Sequence, residues 1–158
     1  MIIRVGNGYD VHSLAEGLDL YLGGCLIDHV KGAVAHSDGD VLIHAICDAL
    51  LGAAALRDIG CHFPDTDPKY KGIDSKELLK ETVALIRNAG YEISNIDTTI
   101  CLQQPKIKDY IPQMQQTLAA VLQVDDTQVS IKATTTEGLG FLGREEGIAA
   151  YAVVLLVA

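Results

Sequence analysis

No apolar run in the 158-residue sequence approaches the roughly 20 residues that a membrane-crossing helix needs. The run Ile148 to Ala158 is too short for that and reads as a buried strand. A basic stripe is also missing. The net charge of −9 excludes a nucleic-acid backbone binder. It also means that any small anionic ligand must be held by local cations or backbone amides. There is no Cys-x-x-Cys: Cys25, Cys47, Cys61 and Cys101 are widely spaced, so neither a zinc ribbon nor a redox pair is indicated. Free thiols in a reducing compartment are expected, with no catalytic role. The start, Met1-Ile2-Ile3-Arg4, lacks the basic-then-apolar layout of a secretory signal. A soluble, cytoplasmic protein is expected, plastid-type if a transit peptide has been removed. With no repeat, linker or low-complexity segment, one domain over residues 1–158 is expected.

What is present reads as an α/β or α+β domain with one mixed β-sheet and helices packed on one face. Ile2 to Ser13 reads as a strand interrupted by Gly6 and Gly8, and Leu18 to Ile27 as a second strand bent at Gly23-Gly24. A helix is expected from Ser37 to about Leu56, with Val41, Ala45, Ala49, Leu50 and Ala53 at near-helical spacing. Arg57 to Gly72 is rich in Pro, Asp and Gly and reads as a loop. Asp74-Ser75-Lys76-Glu77 predicts a capping box for a helix ending at Gly90. Strands at Tyr91–Gln103, Val129–Thr135 and Ile148–Val157, a helix at Tyr110–Leu122 and a glycine-rich loop at Glu137–Gly147 complete the chain.

The most informative residues are Asp10 and His12, two apart and so on one face of a strand, together with His44 on the following helix. Two imidazoles and one carboxylate suit zinc, and three protein ligands leave a fourth position open, as in catalytic sites. Asp40 and Asp48 share the helix face of His44, and one of them is expected to orient that imidazole. Ser37 reads as an N-cap, and the polar His36 beside it is not expected in a core. Lys132 to Glu137 leaves a strand and enters a glycine-rich segment with Arg144. Hydroxyls, approachable backbone, an arginine and an acid fit a phosphate site there, although this is no P-loop. Glu137 suits a hard cation such as Mg²⁺. Gln103-Gln104-Pro105-Lys106 is either a phosphate- or base-holding turn or a plain surface turn.

The motifs G-Y-D-V-H, A-H-S-D-G-D-V, D-I-G with F-P-D-T-D-P, the P-K turn and K-A-T-T-T-E-x-L-G-F-x-G-R-x-E-G-I-A occur in this order. In this the chain resembles the 2-C-methyl-D-erythritol 2,4-cyclodiphosphate synthase family of the non-mevalonate isoprenoid pathway. The resemblance implies a CMP-releasing phosphorus–oxygen lyase that forms a homotrimer with active sites between subunits. It implies zinc on Asp10, His12 and His44, and Mg²⁺ or Mn²⁺ on Glu137. His36 and Thr135 would stabilise the transition state. Ser37, Asp58, Ile59, Gly60, Phe63, Pro64, Asp65, Thr66, Asp67, Phe141 and Arg144 would contact substrate. Leu102, Gln103, Gln104, Pro105, Lys106, Ile107 and Lys108, with Ala133, Thr134 and Thr135, would form the cytidine pocket on the adjacent subunit. His62 is expected to be incidental. Leu102 and Gln104 are larger than the alanines the family pattern would put there. The rival activity on the same ligands is a zinc phosphohydrolase.

Overall fold

The computed structural model describes residues 1–158. A five-stranded sheet is built from β1 (Ile3–Glu16), β4 (Lys31–Ala33), β5 (Glu92–Cys101), β6 (Val129–Thr134) and β7 (Gly147–Val157), in the order β4-β1-β7-β5-β6. Only β5 and β6 pair in parallel, so the sheet is mixed as expected. The hairpin β2 (Leu20–Leu22) and β3 (Cys25–Ile27) stands apart from it.

Helix α1 (Val41–Ala53) lies on one face of the sheet, against β1 and β7. It packs closely because β1 is bare there. A Cβ on Gly6 would come within 2.0 Å of the Ala49 carbonyl oxygen, and one on Gly8 within 1.9 Å of that of Ala45. The two glycines therefore do not interrupt the strand, as the sequence reading had it. They let it run unbroken for 14 residues beneath a helix. Nearly all of α1 is buried, because α3 (Ser75–Asn88) covers its other side. Helix α4 (Ile111–Leu122) packs beside α3 and β6. The helices thus share one face of the sheet.

The remaining expectations need local correction. The second predicted strand is a hairpin turning at Gly23 and Gly24, both at positive φ (57° and 77°). Strand β4 went unpredicted. Helix α1 begins at Val41 rather than Ser37, because Asp40 caps it by accepting from the Ile43 amide at 3.1 Å. Asp74 caps α3, but Glu77 turns away to Lys80, so no capping box closes. The 57–72 loop contains the short helix α2 (Ile59–His62) and a 3-10 turn at Pro68–Tyr70. The 137–147 loop contains α5 (Gly140–Gly143). No helix is long and apolar enough to cross a membrane.

The outer sheet face is apolar yet exposed. Ile3, Val5, Tyr9 and Val11 of β1 and Tyr151 and Val153 of β7 all show on it.

Candidate active site

Asp10 and His12 point from β1 toward the start of α1, where His44 meets them. Asp10 Oδ2 lies 3.0 Å from His12 Nε2 and 3.0 Å from His44 Nδ1, and the two nitrogens are 3.0 Å apart. Ligand atoms in a tetrahedral zinc site stand about 3.3 Å apart, given its bond lengths. The triangle is slightly tighter than that and needs only a small opening to hold a divalent ion. Its electrostatics point the same way. Burial pushes the Asp10 carboxyl up, but the hydrogen bonds and charge of His12 and His44 overcome this and hold it well below the usual carboxylate range. Burial pushes His44 down, yet the hydrogen bond and charge of Asp10 raise it above its ordinary value. A carboxylate calling for positive charge, with two imidazole nitrogens facing the same point, is a donor set that fits zinc.

The triad opens into a cavity of about 490 Å³ lined also by His36, Ser37, Ile59, Gly60, Phe63, Pro64 and Asp65. Val34, Ala35, Tyr70, Ile73 and Leu78 supply further apolar wall that the sequence reading did not pick out. His36 Nε2 lies 3.2 Å from the Asp67 carbonyl oxygen, tying the segment before α1 to the far end of the 57–72 loop. Asp58 caps α2 by accepting from the Cys61 amide at 2.9 Å, and Asp67 caps the 3-10 turn through the Lys69 amide at 2.9 Å. Thr66 sits in the turn between Pro64 and Asp67. His62 stands outside the triad; its Nε2 bonds the Leu56 carbonyl oxygen at 2.8 Å, joining the segment after α1 to α2.

Neither Asp40 nor Asp48 orients His44. Asp40, fully buried, receives the Gly23, Gly24 and Ile43 amides at 3.0, 2.7 and 3.1 Å and so ties the hairpin to the helix start. Burial pushes its carboxyl up, against the pull of those amides. Asp48 accepts from the Ile59 amide at 2.7 Å and anchors the cavity loop instead. The groups that touch His44 Nε2 are Ser75 Oγ at 3.0 Å and Ser37 Oγ at 3.2 Å. Ser75 donates in turn to Asp38 at 2.6 Å. Sequence reasoning missed Ser75 and Asp38. The available signal was a serine at a helix start with an aspartate-rich turn upstream, but pairing the two requires knowing that residues 38 and 75 meet.

A second group of predicted residues lies elsewhere on the chain. Leu102, Gln103, Pro105, Lys106, Ile107, Lys108, Ala133, Thr134 and Thr135 line a separate hollow of about 200 Å³ where β5 and β6 end, and Gln104 lies within the same turn. Leu102 and Ile107 are buried, so they pack into the core while also forming part of the hollow's wall. Glu137 (φ 54°) follows Thr135, whose hydroxyl accepts its amide at 3.2 Å. Across the sheet Asp10 aligns with Ala150, Ile100 and Ala133 in successive strands. Three strand spacings therefore put β6 about 14 Å from the triad. Phe141 lies in a groove beside Val11 and Ser13, and exposed Arg144 pairs with Glu146 at 2.8 Å. All four cysteines are free, and burial pushes the Cys47 thiol up to about 12, which leaves no ready thiolate there.

With this geometry in hand, comparison with known proteins is specific. Residues 3–157 match the YgbB family. The chain is 64% identical over 156 residues to the 2-C-methyl-D-erythritol 2,4-cyclodiphosphate synthase of Bacteroides fragilis, covering 99% of this chain and 98% of that protein. It is 60% identical to the synthase of that name from Azotobacter vinelandii, covering 99% of each. A solved synthase with CDP bound superposes with a TM-score of 0.90 at 38% identity, covering 98% of this chain and 100% of that one. The bifunctional IspDF of Campylobacter jejuni superposes with a TM-score of 0.95 at 48% identity over 98% of this chain, which spans 42% of the larger protein.

Proposed function

The chain belongs to the YgbB family and has the cyclodiphosphate-synthase role in isoprenoid biosynthesis, and from that premise we propose how its own residues perform it. The substrate is 4-diphosphocytidyl-2-C-methyl-D-erythritol 2-phosphate, and the products are 2-C-methyl-D-erythritol 2,4-cyclodiphosphate and CMP. An oxygen of the 2-phosphate attacks the β-phosphorus, the bond from that phosphorus to the bridging oxygen breaks, and CMP leaves with the electron pair. This is the chemistry of a phosphorus–oxygen lyase. The attacking phosphate is already ionised near neutral pH, since its second pKa is about 6, so no strong general base is required.

The observation that carries this reading is the Asp10–His12–His44 triangle opening into the cavity of about 490 Å³. These three residues would hold zinc, and Glu137 would hold Mg²⁺ or Mn²⁺. The ions supply charge neutralisation where two anions must meet. The chain does the positioning. His36 and Ser37 face the reacting phosphates from the cavity wall. Ile59, Gly60 and Phe63 to Asp67, with Asp58 as their cap, enclose the methylerythritol end and keep water from the β-phosphorus. The turn from Leu102 to Lys108 and residues Ala133 to Thr135 receive the cytidine, with Thr135 beside the phosphates. Phe141 and Arg144 border the same ligand.

A homotrimer with active sites between neighbouring subunits fits two features. Thr135 and Glu137 follow β6, itself about 14 Å from the triad of the same chain, so a second copy would bring them to it. The exposed apolar sheet face, with Val5, Tyr9, Val11, Tyr151 and Val153, is a surface of the kind that oligomers bury. The 158 residues would act as one catalytic domain. Free thiols accord with a cytoplasmic setting.

Phosphorus NMR of the reaction tests the reading. A cyclic diphosphate with one CMP per turnover, abolished by a chelator, is expected. An opened monophosphate would instead make the protein a hydrolase, and full activity without divalent ions would remove the metal role.

A further inference from the structure

The hydrogen bonds behind His44 run in one direction. The Asp38 carboxylate only accepts: Oδ1 takes the Ser75 hydroxyl at 2.6 Å and the Asp40 amide at 3.1 Å, and Oδ2 takes the Ser75 amide at 2.9 Å. A serine hydroxyl has one proton, and the short, charge-assisted contact to Asp38 claims it. Ser75 Oγ therefore turns a lone pair toward His44 Nε2, 3.0 Å away, so that nitrogen must carry a proton. With Nε2 occupied, the lone pair of neutral His44 is on Nδ1, the atom that faces Asp10 and His12. Ser37 Oγ accepts the Gly39 amide at 3.2 Å and, 3.2 Å from the same Nε2, shares its one N–H proton with Ser75. Its own proton is then free to point into the cavity that it lines.

We infer that Ser75 and Asp38 are positioning residues, fixing His44 in the tautomer that offers Nδ1 to a divalent cation. Both are well placed for this. Ser75 is fully buried at the first turn of α3. Asp38 is held by its own amide on the Ile73 carbonyl oxygen at 3.1 Å, and the neighbouring Gly72 amide bonds the His36 carbonyl oxygen at 2.7 Å. The start of α3 is thereby laced to the turn before α1. The inference rests on the triad being the cation site.

Two measurements test it in the full-length protein. The first is competition for zinc against a chelator, for wild type and for Ser75→Ala and Asp38→Asn. Loss of the outer partner should weaken zinc binding roughly ten- to a hundredfold. Asp74→Ala, which removes the cap of the same helix without touching the relay, should melt earlier but bind zinc as wild type does. Folded Ser75→Ala with wild-type zinc affinity overturns the inference, as does Asp74→Ala weakening zinc equally. The second needs no variant: nitrogen-15 NMR of the zinc-loaded wild type should show His44 protonated and slowly exchanging at Nε2. Zinc on Nε2, or a proton on Nδ1, overturns it. A wild type that binds no zinc at all would instead overturn the metal reading itself.

Discussion

Around His44 each polar side chain has a partner inside the chain, whereas the segment from Thr134 to Glu137 is exposed and tied mainly to its own neighbours. The triad and the Ser75–Asp38 relay join residues 10, 12, 38, 44 and 75, drawn from β1, the turn before α1, α1 itself and the start of α3. Thr134 Oγ1 reaches only the Thr135 carbonyl oxygen at 3.1 Å, and Thr136 Oγ1 that of Leu139 at 2.7 Å. The first region is held together by the chain's own hydrogen bonds. The second is a set of exposed strand ends with mostly local bonds. Preorganisation concentrates loss in single residues, while an open turn spreads it.

The largest expected break in that contrast is His44→Ala. It should abolish zinc binding and lower turnover on the order of a thousandfold, since the ion's charge stabilisation is worth several kcal/mol. Metal analysis finding full zinc in the folded variant would sink the ligand assignment. Next comes Gly8→Ala, whose Cβ would fall 1.9 Å from the Ala45 carbonyl oxygen. Overpacking there should cost about 3 kcal/mol in denaturant unfolding and weaken zinc before it weakens CMP. Equal weakening of both ligands would mean that the two regions are not independently built. On the open side, Thr135→Ala should lower kcat about tenfold while CMP affinity changes less. Parallel losses would reduce Thr135 to a binding contact. The smallest effect belongs to the exposed Asp97–Lys132 pair, which bridges β5 and β6. Asp97→Asn should shift stability by less than about 1 kcal/mol and leave turnover intact, because an exposed ion pair is solvent-screened. A larger loss would show that the β5–β6 edge is more tightly organised than its exposure indicates.

These contrasts track how far each region could be read in advance. The Asp10, His12 and His44 cluster was visible as a candidate metal site because strand alternation places two of the residues together, and the chemistry of the third names it. The Thr134–Glu137 turn was visible as a contiguous motif. The role of Gly6 and Gly8 was misread, because a glycine within a strand signals a break as readily as a close neighbour, and the neighbour lies some 40 residues further along the chain. Asp40 and Asp48 were misassigned for a related reason. Helical spacing put them on the face of His44, but backbone amides at Gly23, Gly24 and Ile59 took their oxygens.

The sequence by itself determined the mixed α/β class, the candidate metal-binding triad and the family, since these rest on local periodicity, side-chain chemistry and motifs in order. Only the tertiary structure decided which groups stand behind those ligands, how closely α1 approaches β1, and how far the triad lies from the threonine turn. Each of those is a distance between segments remote along the chain, and such distances are set by packing and by the competition among buried hydrogen-bond donors and acceptors, which no local pattern encodes.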